Sequence, residues 1–399
     1  MTETINALEG IRIIDFSHVY QGPVGMQILA DFGADVIKIE RPGSGDWSRA
    51  WGPYVDGMSL PYASLNRNKR SLALNLKHEK GIEIILKLVE TADVLVHNFR
   101  PGVMARLGLD YETVHALNPR LIYALSSGWG DVGPYVERSR GGHDMLARAE
   151  AGWFETLSPN ELPVPAGISA DYPAGLTLVQ GILIALLARA KTGEGQLVTT
   201  DLLSVAFHAR TWDSATVFNA DRPQDDSGIG VTEAAIKKSF RTQDGMIELS
   251  PVFSANFLKD ISTAMNLGDL CADPRFDTVE KQLVNSDELN GIIAARFLTK
   301  TTNEWLATLE PQGILCGRIN TFEEATQDPQ IAANEMIIEM EHPRAGRLRL
   351  LGTPLRLYGT PATFRQPPAY LGEQSAEVIA DLGYSPKEID AMRDEGVFE

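Results

Sequence analysis

Short apolar segments alternate with amphipathic segments up to about residue 130, and this alternation restricts the possible folds more than any other feature of the sequence. Strands are predicted at residues 11–15, 34–39, 71–76, 93–97 and 121–126. Helices are predicted at residues 24–32, 79–91 and 113–118. Strands that alternate with helices pair in parallel, because each crossover helix returns the chain to the same end of the sheet. The sequence therefore predicts a doubly wound α/β layer.

Two breaks of turn-forming residues interrupt the second half of the chain. They are the polar residues 220–230 and the dipeptide Asp328-Pro329, and both are candidate linkers. Before the first break, long helices are predicted from Asp171 to Lys191 and at about residues 200–219. After it, a hairpin is predicted at residues 240–253, since an Asp-Gly dipeptide at its centre favours a tight turn.

The composition excludes several classes of function. A formal net charge of -17 argues against nucleic-acid binding, because phosphate contacts need a basic surface. The two cysteines, Cys271 and Cys316, lie far apart and no HExxH pair occurs, so neither disulfides nor a metal site is expected. Residues 1–10 do not resemble a signal peptide, and no apolar run is expected to span a membrane. The expectation is a soluble cytoplasmic protein without membrane contact.

One carboxylate, Asp171, lies where a loop rich in Gly, Ser and Pro meets an apolar, helix-like run at residues 176–187. Peptide N–H groups at the start of a helix lack partners within the helix and favour negative charge. An Asp at this point is most often a helix N-cap. The alternative is a reactive carboxylate, and both interpretations stay open on the spacing alone.

The motifs that usually bind phosphate in an α/β layer are missing. After the first strand, Tyr20-Gln-Gly-Pro23 stands where GxGxxG is expected, and no GxxxxGK[ST] motif occurs. Basic residues are concentrated instead at residues 66–77 and 98–106, which adjoin predicted strands. Because ligands of such sheets bind at the carboxyl ends of strands, these segments either bind an anionic ligand or form solvated basic loops.

Several motifs occur in an order and spacing that resembles one protein family. The motifs are LEGIRIID at residues 8–15, LADFGADVIKIERPG at 29–43, NKRS at 68–71, NFRPG at 98–102 and KTGEGQ at 191–196. Together they resemble the class III CoA-transferases, which include formyl-CoA transferase, crotonobetainyl-CoA:carnitine CoA-transferase and alpha-methylacyl-CoA racemase. The resemblance extends over nearly the whole chain.

The resemblance implies an α/β fold with a Rossmann-like, doubly wound large domain and a smaller α+β domain. The large CoA-binding domain is expected at residues 1–220, completed by residues 335–399, and the small domain at residues 225–330. An interlocked homodimer is also implied, although such a dimer would accept a related chain as the partner subunit.

The same resemblance implies the residues of the active site. Asp171 matches the catalytic aspartate of the family. A CoA thioester is expected as a substrate, and no bound cofactor or metal is expected. The residues that match the CoA contacts of the family are Val19, Arg41, Leu74, Lys77, Asn98, Phe99, Arg100 and Arg106.

The implied activity moves CoA from an acyl-CoA thioester to a carboxylic acid through an aspartyl anhydride and an aspartyl-CoA thioester. Two departures from formyl-CoA transferase make oxalate doubtful as the acceptor. Tyr20 replaces a glutamine near the acyl group, and residues 247–253 lack the glycine-rich run that covers the site in that enzyme. A larger organic acid, such as a dicarboxylate, is therefore expected.

A second activity within the family stays open. His143 lies in a Gly-His-Asp element that is similar to one in the racemase branch, where a His and an Asp exchange the alpha proton. His143 and Asp171 could form such an acid–base pair on a 2-methylacyl-CoA. His143 could also contact the thioester or serve only the loop structure. A CoA-binding subunit without activity is the alternative outside enzymology.

Overall fold

The described residues form two units. The computed structural model describes residues 6–155, 162–219, 235–251 and 254–399. Contacts group Met1–Thr211 with Asn334–Glu399 as the first unit, whereas Trp212–Ala333 form the second. The candidate linker at residues 220–230 lies outside the described residues, and the break at Asp328-Pro329 lies just before the end of the second unit.

The strands and helices of the described residues are numbered here in chain order. The strands are β1 (Arg12–Asp15), β2 (Asp35–Glu40), β3 (Tyr54–Val55), β4 (Met58–Ser59), β5 (Lys69–Ala73), β6 (Val94–His97), β7 (Ile122–Ser127), β8 (Phe154–Glu155), β9 (Val164–Pro165), β10 (Leu197–Asp201), β11 (Ser239–Arg241), β12 (Met246–Ser250), β13 (Leu315–Arg318), β14 (Ile337–His342) and β15 (Gly346–Leu351). The helices are α1 (Gln21–Asp31), α2 (Leu60–Ala63), α3 (Glu79–Thr91), α4 (Val103–Arg106), α5 (Tyr111–Leu117), α6 (Pro134–Glu137), α7 (Asp144–Glu150), α8 (Asp171–Thr192), α9 (Leu202–His208), α10 (Thr211–Asn219), α11 (Phe257–Met265), α12 (Val279–Val284), α13 (Ser286–Phe297), α14 (Thr302–Leu309), α15 (Phe322–Ala325), α16 (Pro329–Ala333), α17 (Ser375–Asp381) and α18 (Pro386–Asp394).

Six strands of the first unit form one parallel sheet in the order β5-β2-β1-β6-β7-β10. Counted within the sheet, this order is 3-2-1-4-5-6, which is typical of doubly wound dinucleotide-binding folds. The prediction of an α/β fold with a central parallel sheet is confirmed. Strand β10 was not predicted, and the helix predicted from about residue 200 begins only at Leu202. Because β10 lies at the sheet edge, it lacks the continuous apolar run of the buried strands.

Helices cover both faces of the sheet. On one face, α1 and α8 pack on the sheet, and Leu178 belongs to the same buried cluster as Ile13. On the other face, Leu88 of α3 and Val378 of α17 belong to a second cluster with Leu95 of β6. Burying each of these side chains contributes roughly 1.5–3 kcal/mol to folding, so the two clusters hold the sheet between its helix layers.

Helices α1 and α8 cross at two glycines. A Cβ atom on Gly175 would lie 2.5 Å from the backbone oxygen of Gln21, and a Cβ atom on Gly25 would lie 2.9 Å from the backbone oxygen of Gly175. Only glycine allows backbones to approach this closely. The crossing therefore holds the start of α8, and with it Asp171, beside the loop that precedes α1.

The second unit contains its own sheet and core. Strands β11, β12 and β13 pair antiparallel, and the β11–β12 pair is the hairpin predicted around Asp244-Gly245. Helices α11, α13 and α14 bury Ile261, Phe297 and Trp305 in a cluster with Ile247 of the sheet. Residues 252–253 at the end of the expected hairpin lie outside the described residues.

Helix α8 is the one helix of the described residues that is long and apolar enough to cross a membrane by length and composition. The expectation that no run reaches this length is therefore wrong by these two criteria. The helix contributes Leu178 and Ile182 to the core on the sheet, which explains its apolar composition. Ile184 and Leu187 on its other side are 66 % and 68 % exposed.

Candidate active site

The loops after β1 and β6 meet at the carboxyl edge of the sheet. The strand order reverses direction between these two strands, and ligands of open α/β sheets bind at such a point. The side chain of Asn98 joins the loops, since its Oδ1 accepts the backbone N–H of His18 at 2.9 Å and its Nδ2 donates to the backbone oxygen of His18 at 2.8 Å. The imidazole of His18 lies against the ring of Phe99, with 5.4 Å between centroids.

A cavity of about 480 Å³ lies beside these loops, and Asp171 is in its wall. This first cavity has an aromatic lining that includes Tyr20, Trp47, Trp51 and Phe99. Trp47 is 73 % exposed, so its indole is available to a ligand rather than committed to the core. Aromatic rings of this kind suit a ligand with apolar and polar parts.

Asp171 is the first residue of α8 rather than its N-cap. The cap position is Ala170, whose side chain makes no capping hydrogen bond. The interpretation of Asp171 as a helix cap is therefore wrong. The hydroxyl of Ser169 accepts the backbone N–H of Asp171 at 3.2 Å and lies 3.4 Å from the carboxylate as a donor. The carboxylate remains on the cavity wall.

The electrostatic surroundings of Asp171 set its protonation. Burial and the neighbouring Asp144 carboxylate raise the pKa of Asp171 from 3.8 to about 6, against the lowering effects of the Ser169 hydroxyl and of His143. Desolvation disfavours the charged form of an acid, and a like charge has the same effect. The carboxylate is thus mostly ionised at neutral pH and less well solvated than an ordinary Asp.

The start of α8 also supplies a hydrogen-bond donor. First-turn N–H groups have no partner within a helix. Ser169 takes the N–H of Asp171, and Pro173 has none, so within the described part of the chain the N–H of Tyr172 is the first-turn donor that remains beside the carboxylate. Burial raises the pKa of the nearby Tyr20 hydroxyl, which therefore keeps its proton and can also donate.

His143 and Asp144 begin α7 and contact the site in different ways. His143 is the N-cap of α7, and its Nδ1 accepts the backbone N–H of Met145 at 3.2 Å. Asp144 accepts the backbone N–H of Ala170 at 2.5 Å and pairs with Arg148 at 3.1 Å. Asp144 therefore bonds to the residue just before Asp171, a contact that the motif alone did not reveal.

Buried ion pairs lie beneath the site, and the sequence analysis missed them. Lys38 Nζ lies 2.9 Å from Asp46 Oδ2, and Lys69 Nζ lies 3.2 Å from Asp15 Oδ2. All four side chains are at most 1 % exposed. The one available signal was Lys38, a charged residue between the apolar Ile37 and Ile39. Such pairs need good geometry to offset desolvation, and they hold the loops in one arrangement.

The ion pairs hold Val19 in a strained conformation. Val19 has a φ of 71°, which a β-branched residue adopts only at a cost of about 1–3 kcal/mol. Asp46 Oδ1 accepts the backbone N–H of Val19 at 3.1 Å and so keeps the strain in place. Val19 lines the first cavity beside Asp171.

The eight predicted CoA contacts lie at the same edge of the sheet, but not all in one place. Val19, Asn98, Phe99 and Arg100 line the first cavity. Another cavity, of about 410 Å³, is lined by residues that include Arg41, Leu74, Lys77 and again Phe99. His18 and Phe99 line both cavities, so the two cavities are neighbours at these rings.

Arg106 is the predicted contact that the structure does not bring into either cavity. It is the last residue of α4 and is exposed, near the backbone of Gly102. No group of three or more His, Cys, Asp or Glu side chains that could hold a metal ion is found within the described residues.

Comparison with known proteins identifies the family. The model of CoA-transferase family III matches residues 8–375. The chain belongs to CoA-transferase family III. An acyl-CoA transferase of Fusarium pseudograminearum is 36 % identical over 98 % of the chain and 88 % of its own length. The human succinyl-CoA:glutarate CoA-transferase is 32 % identical over 99 % and 90 %.

The fold of this family III member is also shared with solved structures. A CaiB/BaiF family protein from Brucella suis superposes with a TM-score of 0.83 at 30 % identity, over 94 % of this chain and 99 % of that one. The predicted membership of the CoA-transferase family and the prediction of an enzyme of this class are confirmed. A CoA-binding subunit without activity is not supported by this classification.

Proposed function

We propose that this chain transfers CoA from an acyl-CoA thioester to a carboxylic acid and that Asp171 carries the covalent intermediates. One observation carries the proposal: Asp171 is an ionised, partly desolvated carboxylate at a helix start, on the wall of the cavity beside the carboxyl edge of the sheet. Such a carboxylate is a better nucleophile than a hydrated one, and the adjacent N–H groups suit a developing oxyanion.

The reaction proceeds in two matched halves. An Asp171 oxygen attacks the thioester carbonyl carbon, the C–S bond breaks, and CoA leaves as a thiolate, which yields a mixed anhydride. The thiolate attacks the Asp171 carbonyl carbon, the donor acid leaves as a carboxylate, and an aspartyl-CoA thioester remains. In the second half, the acceptor carboxylate attacks the aspartyl-CoA thioester and releases CoA thiolate, which leaves a new mixed anhydride. The thiolate then attacks the acceptor carbonyl carbon of this anhydride, which forms the acceptor thioester and regenerates the Asp171 carboxylate. No net proton or electron is consumed.

The oxyanion of each tetrahedral intermediate has two candidate donors. The N–H of Tyr172 lies at the start of α8, where the helix dipole favours negative charge. The hydroxyl of Tyr20 lies near the Asp171 carboxylate, which contributes to its raised pKa. Removing a single oxyanion donor typically lowers kcat by about 10²–10³-fold, so these two groups are worth testing separately.

The CoA moiety is proposed to extend from the cavity of about 410 Å³ at Arg41 and Lys77, along Phe99, to Asp171. Arg41 and Lys77 are exposed there and suit phosphates, while Leu74 and Phe99 form an apolar slot for the adenine. Arg100 extends the cationic surface, and Arg106 is retained only as a peripheral phosphate contact.

The bonding of His143 favours transfer over alpha-proton exchange. Because Nδ1 accepts a backbone N–H, the neutral imidazole carries its proton on Nε2. A nitrogen that already carries a proton cannot act as the base in racemisation of a 2-methylacyl-CoA. It can instead donate to a thioester carbonyl. We therefore assign His143 a donor role in the transferase, with the racemase as the second candidate.

An interlocked homodimer is proposed as the assembly, with a related chain as the alternative partner. Ile184 and Leu187 of α8 lie three residues apart, on one side of the helix, and both are largely exposed. Phe207 of α9 is 57 % exposed as well. Large apolar side chains exposed together are typical of surfaces that a partner covers.

The acceptor is proposed to be larger than oxalate, either a dicarboxylate or a larger organic acid. Tyr20 stands beside Asp171 where formyl-CoA transferase has a glutamine, and a relative that resembles the whole chain is named for succinyl-CoA and glutarate. Initial rates with oxalate, succinate, malate and aryl acids test this point. Oxalate as the best acceptor would show the proposal to be wrong.

The covalent step is tested by intact-protein mass after incubation with succinyl-CoA or acetyl-CoA, followed by hydroxylamine. Attack of hydroxylamine on an anhydride or thioester at Asp171 leaves a hydroxamate at that residue. The Asp171→Ala variant should show no such mass change. Alpha-proton exchange from a 2-methylacyl-CoA in D₂O without an acceptor, lost in His143→Ala, would favour the racemase instead.

A further inference from the structure

A second cavity, of about 760 Å³, lies on another side of Asp171. It shares Tyr20, His143 and Asp171 with the first cavity, so the two meet at the catalytic carboxylate. Its volume is within the range of about 300–1,000 Å³ that is usual for small-molecule sites. A thioester carbonyl held at Asp171 with its CoA in the first cavity would direct its acyl chain into the second.

The lining of the second cavity is mainly apolar. Many of its apolar side chains come from α1, from the segment around α2 and from the ends of β14 and β15. These side chains are Val24, Ile28, Pro61, Leu65, Met336, Leu351 and Pro354. All of these residues belong to the first unit. The cavity is therefore formed within one unit and fits a hydrocarbon chain or ring.

The charged side chains in this lining are already paired. Arg67 and Asp31 form a two-point ion pair, with Nε to Oδ1 at 3.0 Å and Nη2 to Oδ2 at 2.6 Å. Arg67 also donates to the backbone oxygen of Leu351 at 2.7 Å. Arg67 is 1 % exposed and Asp31 is fully buried. This guanidinium is thus committed to the fold and does not present a free charge to a ligand.

The amide and acid groups of the lining are used in the same way. Gln27 Nε2 donates to the backbone oxygen of Ser64 at 3.1 Å, while its Oε1 accepts the backbone N–H of Arg67 at 3.2 Å. Asp144 bonds to the N–H of Ala170. Within the described part of the chain, the lining therefore contains no lysine or arginine free to meet a second carboxylate.

We infer that the second cavity is the acyl pocket and that it selects monocarboxylic acids with an apolar chain over dicarboxylic acids of the same length. Of the two acceptor classes proposed above, a dicarboxylate or a larger organic acid, this pocket favours the second. The inference rests on the proposed function, because it takes Asp171 as the residue that meets the acyl carbonyl. A carboxylate at the far end of the chain would lose its hydration without gaining a cation, in a pocket that already holds Asp144 and Asp171. The apolar chain, in contrast, gains binding free energy with each CH₂ that it buries.

Direct binding is the first test, with two thioesters of equal chain length as probes. The affinities of hexanoyl-CoA and of the CoA monothioester of adipate are measured by calorimetry on Asp171→Asn, which keeps the cavity and cannot form the anhydride. Hexanoyl-CoA is expected to bind at least tenfold more tightly. Equal affinities, or tighter binding of the adipate thioester, would overturn the inference.

A charge introduced into the pocket should reverse the preference. Leu351 is 56 % exposed, so Leu351→Lys is expected to fold and to place an ammonium at the cavity rim. The variant should bind the adipate thioester more tightly than wild type by about tenfold and hexanoyl-CoA less tightly. The control is Leu117→Lys, at the exposed end of α5 outside this lining, which should leave both affinities unchanged. No change in Leu351→Lys would contradict the assigned pocket.

Acceptor rates separate this inference from the proposed function. With one acyl-CoA donor, kcat/KM is compared for hexanoate and adipate in the wild-type enzyme. Transfer to both acids with adipate preferred would retain Asp171 as the transferase nucleophile and reject the apolar pocket. If no hydroxamate forms at Asp171 and neither acid accepts CoA, the proposed function is rejected. The affinities of the two thioesters still test the selectivity of the pocket in that case.

Discussion

The Asp144 carboxylate accepts the backbone N–H of Ala170 at 2.5 Å and thereby joins the start of α7 to the start of α8. Asp171 follows Ala170 directly, so one contact both positions the catalytic carboxylate and places a negative charge near it. That charge contributes to the raised pKa of Asp171. Arg148 pairs with Asp144 at 3.1 Å, so the contact also joins a cation to this group of carboxylates.

Asp144→Asn should separate the positional effect of Asp144 from its charge. An Asn can still accept the N–H of Ala170, but it removes the negative charge that raises the pKa of Asp171. The acid limb of the pH profile of kcat/KM, expected near pH 6 in wild type, should move to lower pH. Asp144→Ala should lose the tether as well and lower kcat about tenfold or more. An acid limb that does not move in Asp144→Asn would contradict this assignment.

Asp171→Asn should stabilise the protein above pH 6. The folded-state pKa of about 6 is above the ordinary value of 3.8, so the folded protein binds this proton more tightly than the unfolded chain. Wild type therefore loses stability as pH rises from about 4 to 6, and the Asn variant does not. We expect a gain of about 3 kcal/mol at pH 7.5 that falls as the pH is lowered and disappears only below about pH 3.8, measured by urea unfolding. A constant difference across this range would contradict the pKa assignment.

Gly175→Ala should destabilise the first unit and abolish transfer. The added Cβ would lie 2.5 Å from both the backbone oxygen of Gln21 and a methyl group of Val24, so α1 and α8 must separate. Overpacking of this kind costs about 1–3 kcal/mol. The matched control is Gly291→Ala in α13, where nothing lies within 4 Å and helix propensity predicts a gain of about 0.5–1 kcal/mol. Similar thermal shifts in the two variants would argue against the close crossing.

Asp46→Ala should be among the most damaging substitutions outside the cavity walls. It leaves Lys38 buried without its partner and releases the N–H of the strained Val19. Breaking one side of a buried pair costs about 3–5 kcal/mol. Asp277→Ala, which breaks an exposed pair with Lys281, is the control and should leave the denaturant midpoint unchanged. A midpoint for Asp46→Ala close to that of wild type would contradict the structural role of the ion pair.

Much of the sheet could be predicted from sequence because its buried strands have local signals. The predicted strands at residues 11–15, 34–39, 71–76, 93–97 and 121–126 all correspond to observed strands, with ends displaced by at most three residues. Strand β10 lacked such a signal, since alternate residues at the sheet edge face solvent.

The candidate site was only partly accessible to sequence reasoning. Asp171 could be singled out by the loop–helix junction and the resemblance, whereas its position inside the helix rather than at the cap required the backbone. The buried pair of Lys38 and Asp46 joins residues of a strand and a loop, and no local pattern predicts which partner a buried lysine finds. The role of Asp144 was likewise undecided until its contact with Ala170 was seen.

The sequence alone determined the family, the parallel α/β layer and the identity of the carboxylate, because motif order, strand periodicity and turn residues are local properties of the chain. Only the tertiary structure decided the environment of that carboxylate. Its pKa depends on burial and on Asp144, which is 27 residues away along the chain, and its location depends on the crossing at Gly25 and Gly175. Electrostatic and packing energies depend on distance in space, and the fold brings these distant residues together.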